Sequence, residues 1–549
     1  MSRADERVQE PPDQPDLPVQ PAPTNLGRAT LVQAAGTALS RVTGFGRVFA
    51  LAYALGAGLL ADTYNLANNT PNIIFEIVLG GVLSGMVLPE FVRQLRRTDD
   101  PADPDSGWRA VSAVVTVSLV ACAVLTVAFV FVAPWFIRLY TLRKGTEVGG
   151  QQLAVATTLL RLFALQVFFY GTVYLSTAVL RAQRRFAAPM FAPVLNNLVV
   201  IALFLSWPSL VGTRSLAAVQ HDRGALLLLG LGTTAGVVAM ALAQLPFRTV
   251  RRHIRFVWEP RHPSVLRILR IGGWTAGFVV ANQLALFVVY FLANGRAGDV
   301  TVYVFAYTIF LLPHGVVSVS IISALQPELA DRWAAGDTAG FRRQLSVGLR
   351  SILATMAPAA VGYVLLARPL VATLLEHGAL GAASASRVAD VLALLALALP
   401  AFSAWLFLGS AYQAMQDTRS LFRVYVVENG VNVVAAFALY ASFGVRGLAL
   451  AFTLAYVAGT ATALADLRRR VGGIDGAAMA RSAGRVAVAT AAMALTVFAV
   501  TRTVGSDAGA GALVRSGVGA VAGVTVYLVG ARAAGVAEVR DLLSLRRGR

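Results

Sequence analysis

Apolar runs of about twenty residues, separated by short polar or basic breaks, recur from residue 31 almost to the C-terminus, and about 20 apolar residues are what a helix needs to cross a bilayer. The pattern predicts about fourteen transmembrane helices. The first block covers 31–55, 64–92, 110–136, 153–180, 186–207 and 224–245; a second covers 271–293, 300–325, 352–375, 391–412, 421–443 and 448–467; a last pair covers 483–500 and 511–529. Helices are expected because a lipid-exposed backbone must satisfy its polar groups within the segment, and the period-two alternation of barrel strands is absent.

The two blocks share a weak repeat. Leu88-Pro89-Glu90 ends the second span and Gln326-Pro327-Glu328 the eighth; Arg181-Ala182-Gln183-Arg184-Arg185 with Asn196-Asn197 leads into the fifth, and Gln413-Ala414-Met415-Gln416-Asp417 with Asn429 into the eleventh. An even number of spans per copy gives both copies the same topology, related by an axis along the membrane normal, with a cavity between them. The expected fold is therefore an all-α polytopic membrane protein of two six-helix lobes with pseudo-two-fold symmetry around a central cavity, plus two C-terminal helices. In domain terms these are a disordered Pro-rich tail (1–28), an N-terminal lobe (29–250), a basic linker (251–270), a C-terminal lobe (271–470), the extra pair (471–534) and a basic tail (535–549).

Composition agrees: of 549 residues, 57% are hydrophobic and 14% charged, which excludes an ordinary soluble enzyme and a disordered chain. The 47 Lys+Arg against 28 Asp+Glu give a net charge of +19. Most of the basic residues fall in loops on the side of the termini, among them Arg93, Arg96, Arg97, Arg181, Arg184, Arg185, Arg342, Arg343 and Arg468 to Arg470. The positive-inside rule then places both termini in the cytoplasm of a plasma membrane, and topology rather than nucleic acid accounts for the charge. The single cysteine, Cys122, excludes an internal disulfide and a cysteine metal cluster.

Charges inside apolar spans carry the chemistry. Arg41 lies about ten residues into the first span, about 15 Å deep, where an arginine needs a hydrated cavity or a partner. Arg47 follows with Gly44 and Gly46 nearby, and two guanidiniums facing one cavity suit a phosphate or pyrophosphate; the alternative is that they are tied to an acid such as Glu76, itself deep among apolar neighbours. Asp62 stands where a carboxylate caps a helix. Asn68, Asn69, Pro71 and Asn72 break the second span, and Pro313 with His314 the eighth, which marks cavity or gating positions or simple kinks. Glu428, Asn429 and Asn432 put oxygen ligands within one turn of the eleventh span, a candidate Na⁺ or H⁺ site or an interhelical hydrogen-bond cluster. No HExxH, nucleophile elbow or Walker loop occurs, so the chain is not expected to be an enzyme or to use ATP.

Together, Ser40-Arg41-Val42-Thr43-Gly44-Phe45-Gly46-Arg47, Gly56-Ala57-Gly58, Ala61-Asp62, Pro71-Asn72, Pro193-Val194-Leu195-Asn196-Asn197, Leu312-Pro313-His314-Gly315-Val316, Pro327, Leu374-Leu375-Glu376-His377-Gly378-Ala379 and Gln416-Asp417-Thr418-Arg419 resemble the MurJ/MviN lipid II flippases of the MOP exporter superfamily, over roughly residues 30 to 470. The resemblance implies a bacterial inner-membrane flippase whose central cavity opens alternately to either side and carries the undecaprenyl-pyrophosphate-linked peptidoglycan precursor from the inner to the outer leaflet. It implies a groove for the lipid tail beside the last two helices, and proteins of cell-wall synthesis or division as partners. Arg41, Arg47 and Asp62 fall on cavity positions of the family, and Glu428 and Asn432 near a Na⁺ site found in some members; no other cofactor is implied. Where well-studied members have an arginine pair after Pro-Asn-x-x this chain has Phe75-Glu76, and where they have an arginine before the eighth-span proline it has Thr308. The competing readings are an exporter of another lipid-linked oligosaccharide or a drug, and a non-transporting membrane scaffold.

Overall fold

The computed structural model describes residues 26–77, 87–96, 105–245 and 253–539. The Pro-rich tail and the last basic residues lie outside these. The described chain is helical: α1 (Leu26–Leu55), α2 (Leu59–Phe75), α3 (Val87–Arg96), α4 (Ser106–Thr141), α5 (Thr146–Ala182), α6 (Ala187–Leu210), a short α7 (Leu216–His221), α8 (Arg223–Gln244), α9 (Pro263–Ala293), α10 (Asp299–Pro313), α11 (Val319–Ala334), α12 (Thr338–Leu375), α13 (Ala382–Ala396), α14 (Leu399–Ala414), α15 (Thr418–Phe443), α16 (Val445–Arg470), α17 (Gly476–Thr503) and α18 (Gly509–Ala533). Among the described residues, ten helical segments are long and apolar enough to cross a membrane, or eleven with the bent pair α13–α14 taken as one span.

The apolar runs fall on helices among the described residues, but 64–92, 300–325 and 391–412 each take in two, and many helices extend past their runs. Several start where a polar side chain accepts one of the first free N–H groups. Asp222, Asp337 and Asp417 each accept such a bond, from Ala225 at 3.0 Å, Gly340 at 2.8 Å and Ser420 at 2.9 Å. The Gly340 N–H, and after it the Arg332 guanidinium, hold the Asp337 carboxyl below its ordinary value. This cap is therefore present above the unfolded carboxylate value and is lost as pH falls through the lowered folded one. Thus α12 begins well before position 352. Its first turns carry arginines out of the apolar layer, with Arg342 facing Asp475 at 3.6 Å and Arg350 paired with Glu538 at 3.0 Å.

Breaks fall at the prolines. A π-turn, His314–Ser318, follows Pro313 between α10 and α11, and the α13–α14 unit bends by 51° just ahead of Pro400, whose missing N–H cannot continue the ladder.

Among α1 to α8, α1 packs on α6, α5 on α4, and α2 on α5; among α9 to α16, α15 packs on α16 and α9, and α12 on α13 and α14; α17 and α18 pair and lie on α12. Contacts between the first two groups are few, chiefly α10 on α2 and α9 on α4. Cys122 is buried, as its apolar run predicts, against Gly171 of α5. A Gly171→Leu chain should lose thermal stability in detergent, since a side chain there meets the thiol, whereas the smaller Cys122→Ala should be tolerated.

In the segment joining the groups, residues 254–259 form no regular secondary structure and the chain from His253 to Val257 is clipped to α4. Ser112 Oγ donates to His253 O at 3.4 Å and accepts from Arg255 N–H at 3.2 Å, Thr116 Oγ1 accepts from Val257 N–H at 3.2 Å, and His253 stacks on Trp108 at 4.5 Å. Arg109 pairs with Glu259 at 2.5 Å and holds that carboxyl below its ordinary value. Phe256 and Trp258 point outward, as interfacial aromatics do.

Candidate functional site

A cavity of about 630 Å³ lies between α1, α2, α6, α10 and the π-turn. Its N-terminal wall is polar: Arg41 and Arg47 from α1, Asn65, Asn68 and Asn69 from α2, and Asn197 from α6. The opposite wall, from α10 and the π-turn, is Val304, Phe305, Thr308, Leu311, Leu312, Gly315 and Val316.

The arginines reach this space because α1 is held in register on α6. Asn197 Nδ2 donates to Ser40 O at 3.3 Å and to Thr43 Oγ1 at 3.1 Å, on either side of Arg41. Arg41 lies beside Gly315, where a Cβ would stand 3.5 Å from the guanidinium carbon. Arg47 lies close to the Tyr64 hydroxyl, which is also shared with Thr233 at 3.0 Å. Neither arginine has a carboxylate partner among the described residues. Two guanidiniums in an apolar protein interior with no acid beside them keep their charge available for an anion, and their paired donors fit phosphoryl oxygens.

The expected Glu76 partnership is not formed. Glu76 has no ion pair with Arg41 or Arg47 among the described residues; α2 packs on α5 and barely touches α1, so the side chain lies near Tyr174 instead. Glu76 and Asn72 are not on the cavity wall. Asn68 is, as expected. Pro313 and His314 are also displaced from the expected lining: His314 is buried, with Nδ1 2.9 Å from Ser403 Oγ and its ring on Phe402, and Pro313 borders a different groove. Asn65 and Asn197 were not singled out as site residues in the sequence, although Asn65, Asn68, Asn69 and Asn72 sit at the i, i+3, i+4, i+7 spacing of one helix face.

Asp62 is not on the cavity wall either; it closes the end of the cavity away from the termini. Fully buried, it accepts hydrogen bonds from Gly298 N–H at 2.5 Å, Thr301 N–H at 2.9 Å and Thr301 Oγ1 at 2.7 Å, capping α10 from across the molecule. Asn65 Nδ2 donates to Thr301 Oγ1 at 3.1 Å. Gly298, at φ 87°, has Ala57 O so close that a Cβ would stand 2.5 Å from it. A second contact completes the seam: Ala379 N–H donates to Tyr53 O at 2.8 Å, Gly378 (φ 61°) lies against Tyr53, and His377 meets Phe49 edge to face. Asp299 pairs with Arg387 behind it. Lys144, in the turn between α4 and α5, faces both acids; burial pulls its ammonium pKa down and Asp62 and Asp299 oppose this.

Glu428 and Asn432 lie outside the cavity, buried in α15. Asn429 Nδ2 donates to Glu428 Oε2 at 2.7 Å, and Asn432 Oδ1 is buried without a hydrogen-bond partner among the described residues. A separate apolar groove of about 480 Å³ runs between α12, α17 and α18, lined by Tyr363, Leu366, Met493, Val497, Gly519 and Gly523, and touches Pro313 and Val317.

A bundle of this kind, with two helical groups meeting at a closed seam over a cationic cavity, is a membrane transporter of the two-lobed, alternating type. Its fold matches that of a solved lipid II flippase MurJ in an inward closed conformation (TM-score 0.75, 18% identity, 93% of this chain and 100% of that one). It also matches an inward-facing multidrug resistance MATE family transporter of the MOP superfamily (TM-score 0.63, 15% identity, 80% and 98%). The sequence profile of the lipid II flippase MurJ family matches residues 51–516. Among relatives, the lipid II flippase MurJ of Burkholderia cenocepacia is 26% identical over 452 residues (81% of this chain, 84% of that protein), and a probable lipid II flippase MurJ of Rhizobium tropici is 25% identical over 416 residues (76% of each). The chain belongs to the lipid II flippase MurJ family.

Proposed function

We propose that this chain moves lipid II from the inner to the outer leaflet of a bacterial plasma membrane, with both termini in the cytoplasm. The observation that carries the reading is the pair of acid-free guanidiniums, Arg41 and Arg47, facing one cavity in a chain of this family. They hold the diphosphate, while the apolar groove beside α17 and α18 takes the lipid tail. The Asp62 seam closes the outer face while cargo loads from the inside, and its release lets the lobes rock. The test is leaflet accessibility of lipid II in cells depleted of the protein: externally accessible lipid II should collapse and return with the wild-type chain, and unchanged accessibility would refute the reading.

Coupling to an ion belongs to the same proposal. Glu428 and the unpartnered Asn432 oxygen, one turn apart on α15, are the oxygen donors that a Na⁺ or H⁺ site would use. A Glu428→Gln, Asn432→Ala chain is expected to retain cargo binding and to lose any stimulation by a Na⁺ or H⁺ gradient in proteoliposomes. Retained stimulation would remove these residues from coupling.

A further inference from the structure

The charged and carboxamide groups of the cavity are all on one wall, from the N-terminal lobe. Beside the arginines of α1 stands the asparagine face of α2. Two of the cavity carboxamides are already used within the protein: Asn197 on Ser40 and Thr43, Asn65 on Thr301. Asn68 and Asn69, one turn further along, are part-exposed to the cavity and make no hydrogen bond to another described residue. A carboxamide offers two donors and an acceptor and no charge. It therefore adds little to holding a diphosphate, which wants cations, but complements hydroxyl, acetamido and peptide groups, which donate and accept at once. The facing wall offers apolar side chains and the single hydroxyl of Thr308, which is spent on Val304 O at 2.8 Å.

We infer that Asn68 and Asn69 are specificity-determining residues that read the sugar-peptide head group of the cargo, while Arg41 and Arg47 hold its diphosphate, all from the N-terminal lobe. This rests on the flippase reading above and adds to it the division of labour within the cavity. Cations alone would accept any polyprenyl diphosphate, including a carrier stripped of its head group; the carboxamides are what distinguishes the loaded carrier from the empty one. A site built to hydrogen-bond a ligand rejects the analogue lacking those groups, because its own donors are then left without partners.

The experiment compares binding of two probes, lipid II and undecaprenyl pyrophosphate, to the purified full chain in nanodiscs. The wild type should prefer lipid II. Asn68→Ala with Asn69→Ala should weaken lipid II binding by about 10-fold or more, on the order expected for losing two or more neutral hydrogen bonds, and shift undecaprenyl pyrophosphate binding by less than about 2-fold. Arg41→Ala with Arg47→Ala should weaken both. Asn68→Gln with Asn69→Gln, which keeps the carboxamides, should restore part of the preference, and this separates recognition from damage to folding. The inference is overturned if the alanine pair leaves lipid II affinity unchanged or lowers both affinities alike. If instead the wild type binds neither probe, or the arginine pair affects neither, it is the flippase reading that fails.

Discussion

Replacing Arg41 and Arg47 together by alanine is expected to abolish complementation of a flippase-depleted strain and to cut lipid II transport by at least about 100-fold. Each guanidinium is positioned to make charge-assisted hydrogen bonds, worth about 1.5–3 kcal/mol apiece, so losing both removes about 3–6 kcal/mol, or about two to four orders of magnitude in affinity. The loss should not be a folding defect. Neither side chain is in an ion pair among the described residues, and removing an unpaired charge from the bilayer interior relieves a cost. Expression and thermal stability should therefore match or exceed wild type. Lysine at both positions should give an intermediate result, since an ammonium keeps the charge and loses the two-pronged geometry. A double alanine chain that still exports lipid II would show that the cavity arginines are not the diphosphate ligands.

The second large effect is expected at Asp62. Its carboxylate caps α10 across the lobe boundary with three hydrogen bonds, so Asp62→Ala removes an N-cap and an interlobe tie at once. A cap is worth about 1 kcal/mol and further hydrogen bonds to a charged group about 1.5–3 kcal/mol. The closed seam should lose about 3 kcal/mol, enough to shift a two-state equilibrium on the order of 100-fold. Spin labels at Glu147→Cys and Ala383→Cys, both exposed near the seam, in a Cys122→Ala background should report a longer distance in Asp62→Ala and an intermediate distribution in Asp62→Asn. An unchanged distance would mean that the glycine and backbone contacts of Gly56, Gly298 and Gly378 hold the face shut by themselves.

The order of the helices was legible in the sequence because a bilayer imposes one length scale on every span, and apolar runs separated by basic breaks record it; their number was not, since about fourteen spans were expected and ten or eleven helical segments among the described residues are long and apolar enough to cross. Cavity arginines were legible for a related reason, since a charge in such a run needs a special environment. Partnership was not. Glu76 looked like the natural acid for Arg41, yet whether two helices touch is set by the packing of a third, and α5 takes α2 away from α1. Asp62 was read as a helix cap and, by resemblance, as a cavity residue; it lies off the cavity wall and caps a helix more than two hundred residues away, and no local pattern carries that contact. His314 sits in a motif of the cavity-forming span and is nevertheless a packing residue, because the π-turn after Pro313 rotates it toward Ser403.

The irregular segment clipped to α4 bears on how the molecule can rock. A loose tether would let the lobes part, slide or swivel in any direction. Here the hydroxyls of Ser112 and Thr116, one helical turn apart, pin its backbone, so free play begins only near Pro263. The halves are then less like two bodies on a string than like two bodies sharing a fixed pivot, which limits how far one can slide past the other.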